Sequence, residues 1–484
     1  MPDSVEDAAR VVERLSTELQ TRRPGLERRI GYLRGDLGRM PFASDEFREY
    51  FEKQFAGFSD NWCLPVAEAT AERMKPLGIR LNPRSARADD ALYRAWTDAE
   101  CDRGFAETAL VFPSASRSFA LVHPNPAEPS LPRVTWEHPE QAIVDYSPLG
   151  EARYGMVAWT DGEYDYATLY DGGVGLWRFY RESTDDPALR ERWRATDLLG
   201  WQPRGEEPYA RNPLGRMPLV EFRNRHMLTS DPVSDIQLVM SMQDTVNVVW
   251  AYLLNALDYA SLPQRVALGA EPPRVPILDE NGVEVGSRPV ELDKLIRERI
   301  MFLSGENVSI GEWKPAALEV FSSVIEHAVE HIAAQTRTPP HYLIAKIVNS
   351  SADALTVSEA GLVSKVGERI MFAEPSLREV YRLMALAMGD KRKADRVRFG
   401  SVVWKDIQYR SEAQRADALQ KKKALGYPLE YLLELDGVPP HDIPRVLAMR
   451  RRELEMDPTA KIAAELAATG SPVGDEGAED GDGE

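Results

Sequence analysis

An α+β fold, predominantly helical, is what the pattern of this 484-residue chain predicts, and three observations carry that expectation. Apolar residues recur at helical spacing over much of the chain, most persistently across 353–389, where Leu355, Leu362, Val366, Ile370, Leu377, Val380, Leu383 and Met384 line one side. Between 104 and 180 the texture changes to short β-prone runs parted by Pro, Gly and Asp turns. Two further long helical patterns, 231–260 and 316–335, bracket an insert of different character. Helices segregated from a block of antiparallel strands define the class.

Taken from the N-terminus, Val5, Ala8, Val11, Val12, Leu15 and Leu19 predict an amphipathic helix over 4–22. Pro24-Gly25 stops it, and a second helix covers 26–34. Helices are predicted at 44–55 and 61–74, with a turn at Pro76-Leu77-Gly78 into a strand at 79–81. A helix over 89–103 ends at Gly104. Strands are predicted at 108–112, 118–122, 134–136, 156–159, 166–170 and 177–180, the last two as partners. A loop over 200–215 precedes a strand at 219–222.

Asp231-Pro232-Val233-Ser234 starts the first long helix, in which Gln243, Asp244, Asn247, Asn255 and Asp258 interrupt an otherwise apolar surface. The insert 264–315 offers a strand near 265–268, a Pro-rich turn at 272–276, an Asn281-Gly282 hairpin signal, a helix over 292–299 and a strand at 300–303. After the second long helix the breaker Thr338-Pro339-Pro340 leads into a loop where Leu343, Ile344, Ile347 and Val348 surround one cation, Lys346. Ser350, Ser351 and Asp353 offer caps to the helix that Gly389 ends, and Pro375 predicts a kink inside it. A strand at 397–404, helices at 411–425, 428–436 and 440–465, and an acidic Gly-rich tail expected to be disordered complete the chain.

Length alone suggests roughly two to four modules. A net charge of -18 excludes a protein that coats nucleic acid through a basic surface, but suits one past which DNA must slide without sticking. Cys63 and Cys101 form no ligand pattern and read as reduced thiols. The N-terminus carries no signal-peptide core and no apolar run reaches spanning length, so a soluble protein with no membrane partner is expected.

Several local runs stand out within this order. They are Asn61-Trp62 ahead of Ile79-Arg80-Leu81; Pro218-Leu219-Val220-Glu221-Phe222 leading to Asn224-Arg225; and Ser234-Asp235-Ile236 with Gln243-Asp244. Later come Thr338-Pro339-Pro340-His341-Tyr342-Leu343 followed by Asn349-Ser350-Ser351-Ala352-Asp353-Ala354-Leu355, and Trp404-Lys405-Asp406. Over roughly 20–460 the chain resembles the portal proteins of tailed double-stranded DNA phages, most of all those of long-tailed phages of actinobacteria.

The resemblance implies a ring-forming portal fold with wing, stem, clip and crown. The N-terminal helical part of the wing would be 1–85, its α+β body 86–230, the first stem helix 231–262, the clip 263–315 and the second stem helix 316–338. A tunnel loop would cover 339–352, the long kinked helix and strand of the wing 353–408, the helical crown 409–466 and the acidic tail 467–484. It further implies a dodecamer at one capsid vertex, serving DNA packaging, genome retention and ejection. Its implied partners are double-stranded DNA, the large terminase, the major capsid protein, scaffold and a head-completion or adaptor protein. Its place would be the virion, with assembly in the host cytoplasm. Another ring-forming connector of the virion is the neighbouring alternative.

The resemblance makes Lys346, Arg337 and Asn349 the candidate DNA contacts, and Arg288, Lys294 and Arg297 the candidate clip contacts to motor or connector. Each phosphate contact adds salt-dependent affinity, so one lysine per loop gives weak, exchangeable contacts where a cluster would trap the polymer. Arg337 could equally cap the carbonyls of the second stem helix.

Two signals point elsewhere. His327-Ala328-Val329-Glu330-His331 spells an inverted zinc-protease signature, with both histidines on one helical face and Glu330 as base, but no third ligand follows. The bland reading is exposed polar residues on a stem helix, so no catalytic residue, metal or cofactor is assigned. No phosphate-binding G-x-x-x-x-G-K-[ST] loop occurs, and Lys421-Lys422-Lys423 reads as the solvated end of a helix.

Overall fold

The computed structural model describes residues 2–36, 44–54, 58–82, 87–194, 196–226, 228, 231–261, 265–268, 274–278, 284–289, 300–303, 309–312, 317–344, 352–408 and 412–456. Its first element is α1 (Val5–Arg34), opened by Ser4, whose hydroxyl accepts the Asp7 N–H, and closed by Gly35 at φ 80. The break expected at Pro24 does not occur, and one helix of 30 residues runs through it. Its two halves are anchored on different cores: Ala8, Val12 and Leu15 on one, Leu26, Ile30 and Leu33 on another. Burial on both sides outweighs the local propensity that would part them.

The helices α2 (Asp45–Gln54) and α3 (Cys63–Ala71) follow, then β1 (Pro76–Arg80), which already starts within the expected turn. The helix expected over 89–103 is two, α4 (Asp90–Asp98) and α5 (Cys101–Ala115), parted at Glu100 with φ 50. The strand expected at 108–112 is therefore wrong. Thr108, Ala109 and Phe112 are buried positions on α5, which packs across the first sheet. Gly104 does not end that helix; it sits in its first half, where the Trp136 ring leaves no room for a side chain.

Two antiparallel sheets form the body. β2 (Arg117–His123) lies between β3 (Arg133–Glu137) and the later β10 (Leu219–Arg223). The other is six-stranded: β4 (Ala142–Tyr146), β5 (Ala152–Thr160), β6 (Tyr164–Asp171), β7 (Gly175–Glu182) and β8 (Gln202–Pro203) in that order, with β9 (Tyr209–Arg211) also on β7. The expected β6–β7 partnership holds, with Tyr166 opposite Tyr180. Strands β8 and β9 lie where only loop was expected, and the short helix α6 (Pro187–Arg194) lies where no element was predicted.

The first long helix, α7 (Met240–Ser261), starts later than Ser234. Ser234 donates its hydroxyl to the Ser114 carbonyl, and Asp235 is held by Arg369, so both are taken up as anchors before the helix begins. In the insert, β11 (Arg265–Leu268) pairs in parallel with β14 (Ile300–Leu303) and antiparallel with β15 (Ser309–Glu312). β12 (Arg274–Leu278) and β13 (Glu284–Pro289) form a two-stranded antiparallel pair, so residues 274–276 of the Pro-rich run are strand where a turn was expected. Both strands are edges, where Pro276 is tolerated. The Asn281-Gly282 turn and the helix expected over 292–299 lie outside the described residues.

The second long helix is α8 (Leu318–Thr336), followed by the single turn α9 (Pro340–Leu343). Next, α10 (Ala352–Ala387) runs unbroken for 36 residues through Pro375, and Gly389 at φ 81 follows it. α11 (Lys391–Val397) ends where the expected strand was to begin, and that strand is confined to β16 (Ser401–Trp404) paired with β1. Helices α12 (Glu412–Ala424), α13 (Leu429–Leu435) and α14 (Ile443–Met456) fall within the expected spans and are parted by Gly426 and Gly437 in left-handed conformation. The acidic tail lies outside the described residues.

The main core joins α5, β2, β10 and α10 around Phe105, Phe112, Phe222, Leu377 and Tyr381. A second joins the C-terminal half of α1 to α3, α7 and α8. Among the described residues no helix is long and apolar enough to cross a membrane.

Candidate functional site

The helices α7 and α8 lie side by side, with Val246, Leu253, Ile325, Val329 and Ile332 buried in a shared core. Neither contains a single Lys or Arg. The outer side of α8 presents Glu319, Glu326, His327, Glu330 and His331 to solvent. Apolar side chains are also uncovered on this pair: Val320 is 61% exposed, Val324 43%, Leu257 41% and Tyr252 39%. One isolated copy therefore leaves part of the apolar surface of these helices unburied.

The polar residues within α7 behave differently from their expected role of wetting the helix surface. Gln243, Asp244 and Asn247 are buried inside the same chain. Gln243 accepts the Trp62 N–H at 2.7 Å and donates to the Asp60 carbonyl; Asn247 accepts the Asp60 N–H at 2.9 Å. The Asp60 carboxylate in turn takes the indole N–H groups of Trp62 and Trp250, at 3.0 and 2.7 Å. Tyr32 donates its hydroxyl to Asp244. Burial pushes that hydroxyl up to about 12 and raises the Asp244 carboxyl as well. These side chains satisfy the turn at 58–62, which explains polar groups on a helix whose core face should be oily.

Arg337 ends α8 in left-handed conformation, φ 54, and it is its backbone N–H, not its side chain, that caps the helix carbonyls. Its half-exposed guanidinium lies 3.6 Å from the Glu368 carboxylate on α10. Just beyond, Arg73 fastens α9: it donates to the Tyr342 hydroxyl at 2.6 Å and to the Ile407 carbonyl at 2.9 Å, and lies 3.3 Å from Glu359. The chain entering the lysine-bearing loop is thus tied to both α3 and α10. Lys346, Asn349, Lys294 and Arg297 lie outside the described residues. Arg288 is in β13, where its backbone lies opposite Val275.

The feet of both long helices rest on one stripe of α10. Arg369 holds Asp235 in a two-pronged pair, with Nε 2.9 Å and Nη2 2.8 Å from the carboxylate oxygens. Glu368 meets Arg337, and Ser376 donates to the Glu221 carbonyl at 2.7 Å. Sequence reasoning treated Ser234-Asp235-Ile236 as packing and passed over Lys365 and Arg369. The readable signal was two cations one turn apart among Leu362, Val366 and Ile370.

His327 and His331 stand on the exposed side of α8, with Ser323 Oγ 3.5 Å from His327 Nδ1. Among the described residues no group of three His, Cys, Asp or Glu side chains is placed to hold a metal ion.

Paired helices that bracket a small β insert, with their ends fastened to the long helix α10, define a structural scaffold. The family profile described as phage portal protein, SPP1 Gp6-like, matches residues 65–451, and the chain belongs to that family. It is 25% identical over 378 residues to the portal protein of Mycobacterium phage D29, covering 73% of this chain and 70% of that one. It is 28% identical over 218 residues to the portal protein of Mycobacterium phage L5, covering 43% and 42%. Among solved structures, a chain of the virion of a native gene transfer agent particle is 14% identical with a TM-score of 0.41, covering 82% of this chain and 95% of that one. A chain from the neck of the native particle, computed with C12 symmetry, is 14% identical with a TM-score of 0.39, covering 85% and 99%. The chain is a phage portal protein, as its motifs implied, with the α+β, largely helical architecture expected of it.

Proposed function

We propose that this portal protein works as a homo-oligomeric ring of twelve copies at one capsid vertex, and that α7 and α8 are the stem surrounding the path of double-stranded DNA. The observation that carries the reading is a long helix pair with no Lys or Arg, acidic on its outer side, with apolar residues left for a neighbouring copy. A wall without cations forms no phosphate contacts that would hold the polymer in place. The sheets, α1 and α10 act as wing, the β insert as clip and α12 to α14 as crown. Lys346 and Asn349 supply the exchangeable contacts to the phosphates, whereas Arg337 is occupied by Glu368 and serves to seat the stem. Arg288, Lys294 and Arg297 on the clip meet the terminase motor and later a head-completion protein. Capsid protein and scaffold meet the outside of the ring, assembled in the host cytoplasm. The protein carries no catalysis of its own.

Negative-stain imaging of purified protein tests the ring. Closed rings with a central bore wide enough for a duplex are expected, and solitary globules at high concentration would end the proposal. Lys346→Ala is expected to leave rings intact and to change DNA packaging or retention, measured as packaged genome per particle. Unassembled subunits would show that the loop is structural instead.

A further inference from the structure

Lys365 is a cation with no apparent use in the arrangement described so far. Its side chain is 4% exposed, its ammonium makes no hydrogen bond, and it lies 3.9 Å from Oδ2 of Asp235. That carboxylate is already engaged by Arg369, one helical turn further along α10, and by the Asn224 amide at 2.9 Å. An ammonium removed from water without a hydrogen-bonded partner is destabilising, so a neutral apolar residue would suit the site better if Lys365 only filled space. Two cations stand one turn apart on one face, both buried and both facing one carboxylate at the foot of α7.

We propose that Lys365 is a second seat for the Asp235 carboxylate, taken up when Arg369 lets it go. Its ammonium lies 3.9 Å from the same Oδ2 that Arg369 Nε holds at 2.9 Å, so a shift of only about 1 Å brings the two to hydrogen-bond distance. The surroundings suit such an exchange. Glu368, on the same stretch of α10, pairs loosely with Arg337 at 3.6 Å. Asp235 and Lys365 are thus positioning residues, which set where the stem stands relative to the helix that follows the loop. Moving the loop in a DNA channel rests on the portal reading; the exchange of partners does not.

Ionisation supports the geometry. Burial, opposed by Asp235 and aided by Arg369, Arg337 and Arg225, lowers the Lys365 ammonium to about 8 from an ordinary 10.5. Between those two values the unfolded chain holds a proton that the folded chain has lost, so the stability contributed at Lys365 rises with pH through that window. Glu368 pairs with Arg369 at 3.3 Å and with Arg337 at 3.6 Å, and so reaches Lys365 only through them.

The test uses unassembled full-length protein in solution, so failure of the ring reading would show in images and leave this result untouched. Urea unfolding is measured for wild type, Lys365→Met, Arg369→Gln and the double variant, at several pH values from 7 upward. The double variant is expected to have a folded-to-unfolded ratio about tenfold below the product of the single effects, because Lys365 rescues Asp235 only when present. Arg369→Gln should also lose the alkaline rise that wild type shows, since Lys365 then holds its proton against Asp235. Additive losses, or an unchanged pH profile in Arg369→Gln, would overturn the proposal. So would failure of Arg369→Gln to fold, since Lys365 would not have taken the carboxylate.

Discussion

Asp60 shows how a single residue fixes the start of α7. Its carboxylate gathers two indole N–H groups, and its backbone is bracketed by Gln243 and Asn247. Replacing Gln243 with Leu leaves the Trp62 N–H and the Asp60 carbonyl unpaired in a partly buried place. A loss of about 1–3 kcal/mol is expected, read from urea unfolding of unassembled protein. The two thiols make a second residue-scale prediction. Burial pushes Cys63 and Cys101 up to about 12 from an ordinary 9. Their folded form holds the proton longer than the unfolded form, so this contribution to stability is complete below pH 9 and is lost as pH rises toward 12. Iodoacetamide at pH 8 should therefore leave both thiols unlabelled until urea unfolds the chain, and rapid labelling of the folded protein would contradict their burial.

At the scale of elements, α5 shows how packing fixes what composition leaves open. Its β-prone run at 108–112 is helical because Ala109 and Phe112 are needed on the main core, while Gly104 lets α5 pass close beneath Trp136. A side chain at Gly104 would lie 2.0 Å from the Trp136 ring, which is itself packed by Trp96, Phe105 and Phe222. Gly104→Ala is expected to cost about 1–3 kcal/mol of stability through overpacking, measured by thermal or urea unfolding. Elsewhere the elements were legible, because their signals are local. The long helix α10, the β6–β7 pair and the glycine-separated helices α12 to α14 all follow from periodicity and turn residues. The early end to α1 and the early start to α7 were misread because Pro24 and Ser234 give the right local signal in the wrong tertiary setting.

For the whole molecule, the exposed apolar residues of α7 and α8 are the part of the fold that one copy leaves unfinished. Val320 and Val324 lie on the outside, so aspartate at both should leave the fold of each subunit intact, with unchanged circular dichroism and melting. Sedimentation should then report subunits in place of rings, because charges would be trapped in the subunit contact. Intact rings from that variant would place the contact elsewhere. The candidate site was legible only in part. The family motifs and the lone Lys346 were plain in the sequence, whereas the clamp at Asp235 joins residues 134 positions apart.

What the sequence determined by itself was the order and kind of most elements, the family and the absence of Lys and Arg from α7 and α8. Caps, periodicity and charge act over a turn or two and can be read without a structure. Tertiary structure alone decided that Pro24 would not break α1, that Gln243, Asp244 and Asn247 would turn inward, and that Asp235 would find Arg369 with Lys365 beside it. The physical reason is that local preferences of about 1–3 kcal/mol yield to burial and hydrogen bonding supplied by residues far away in the chain.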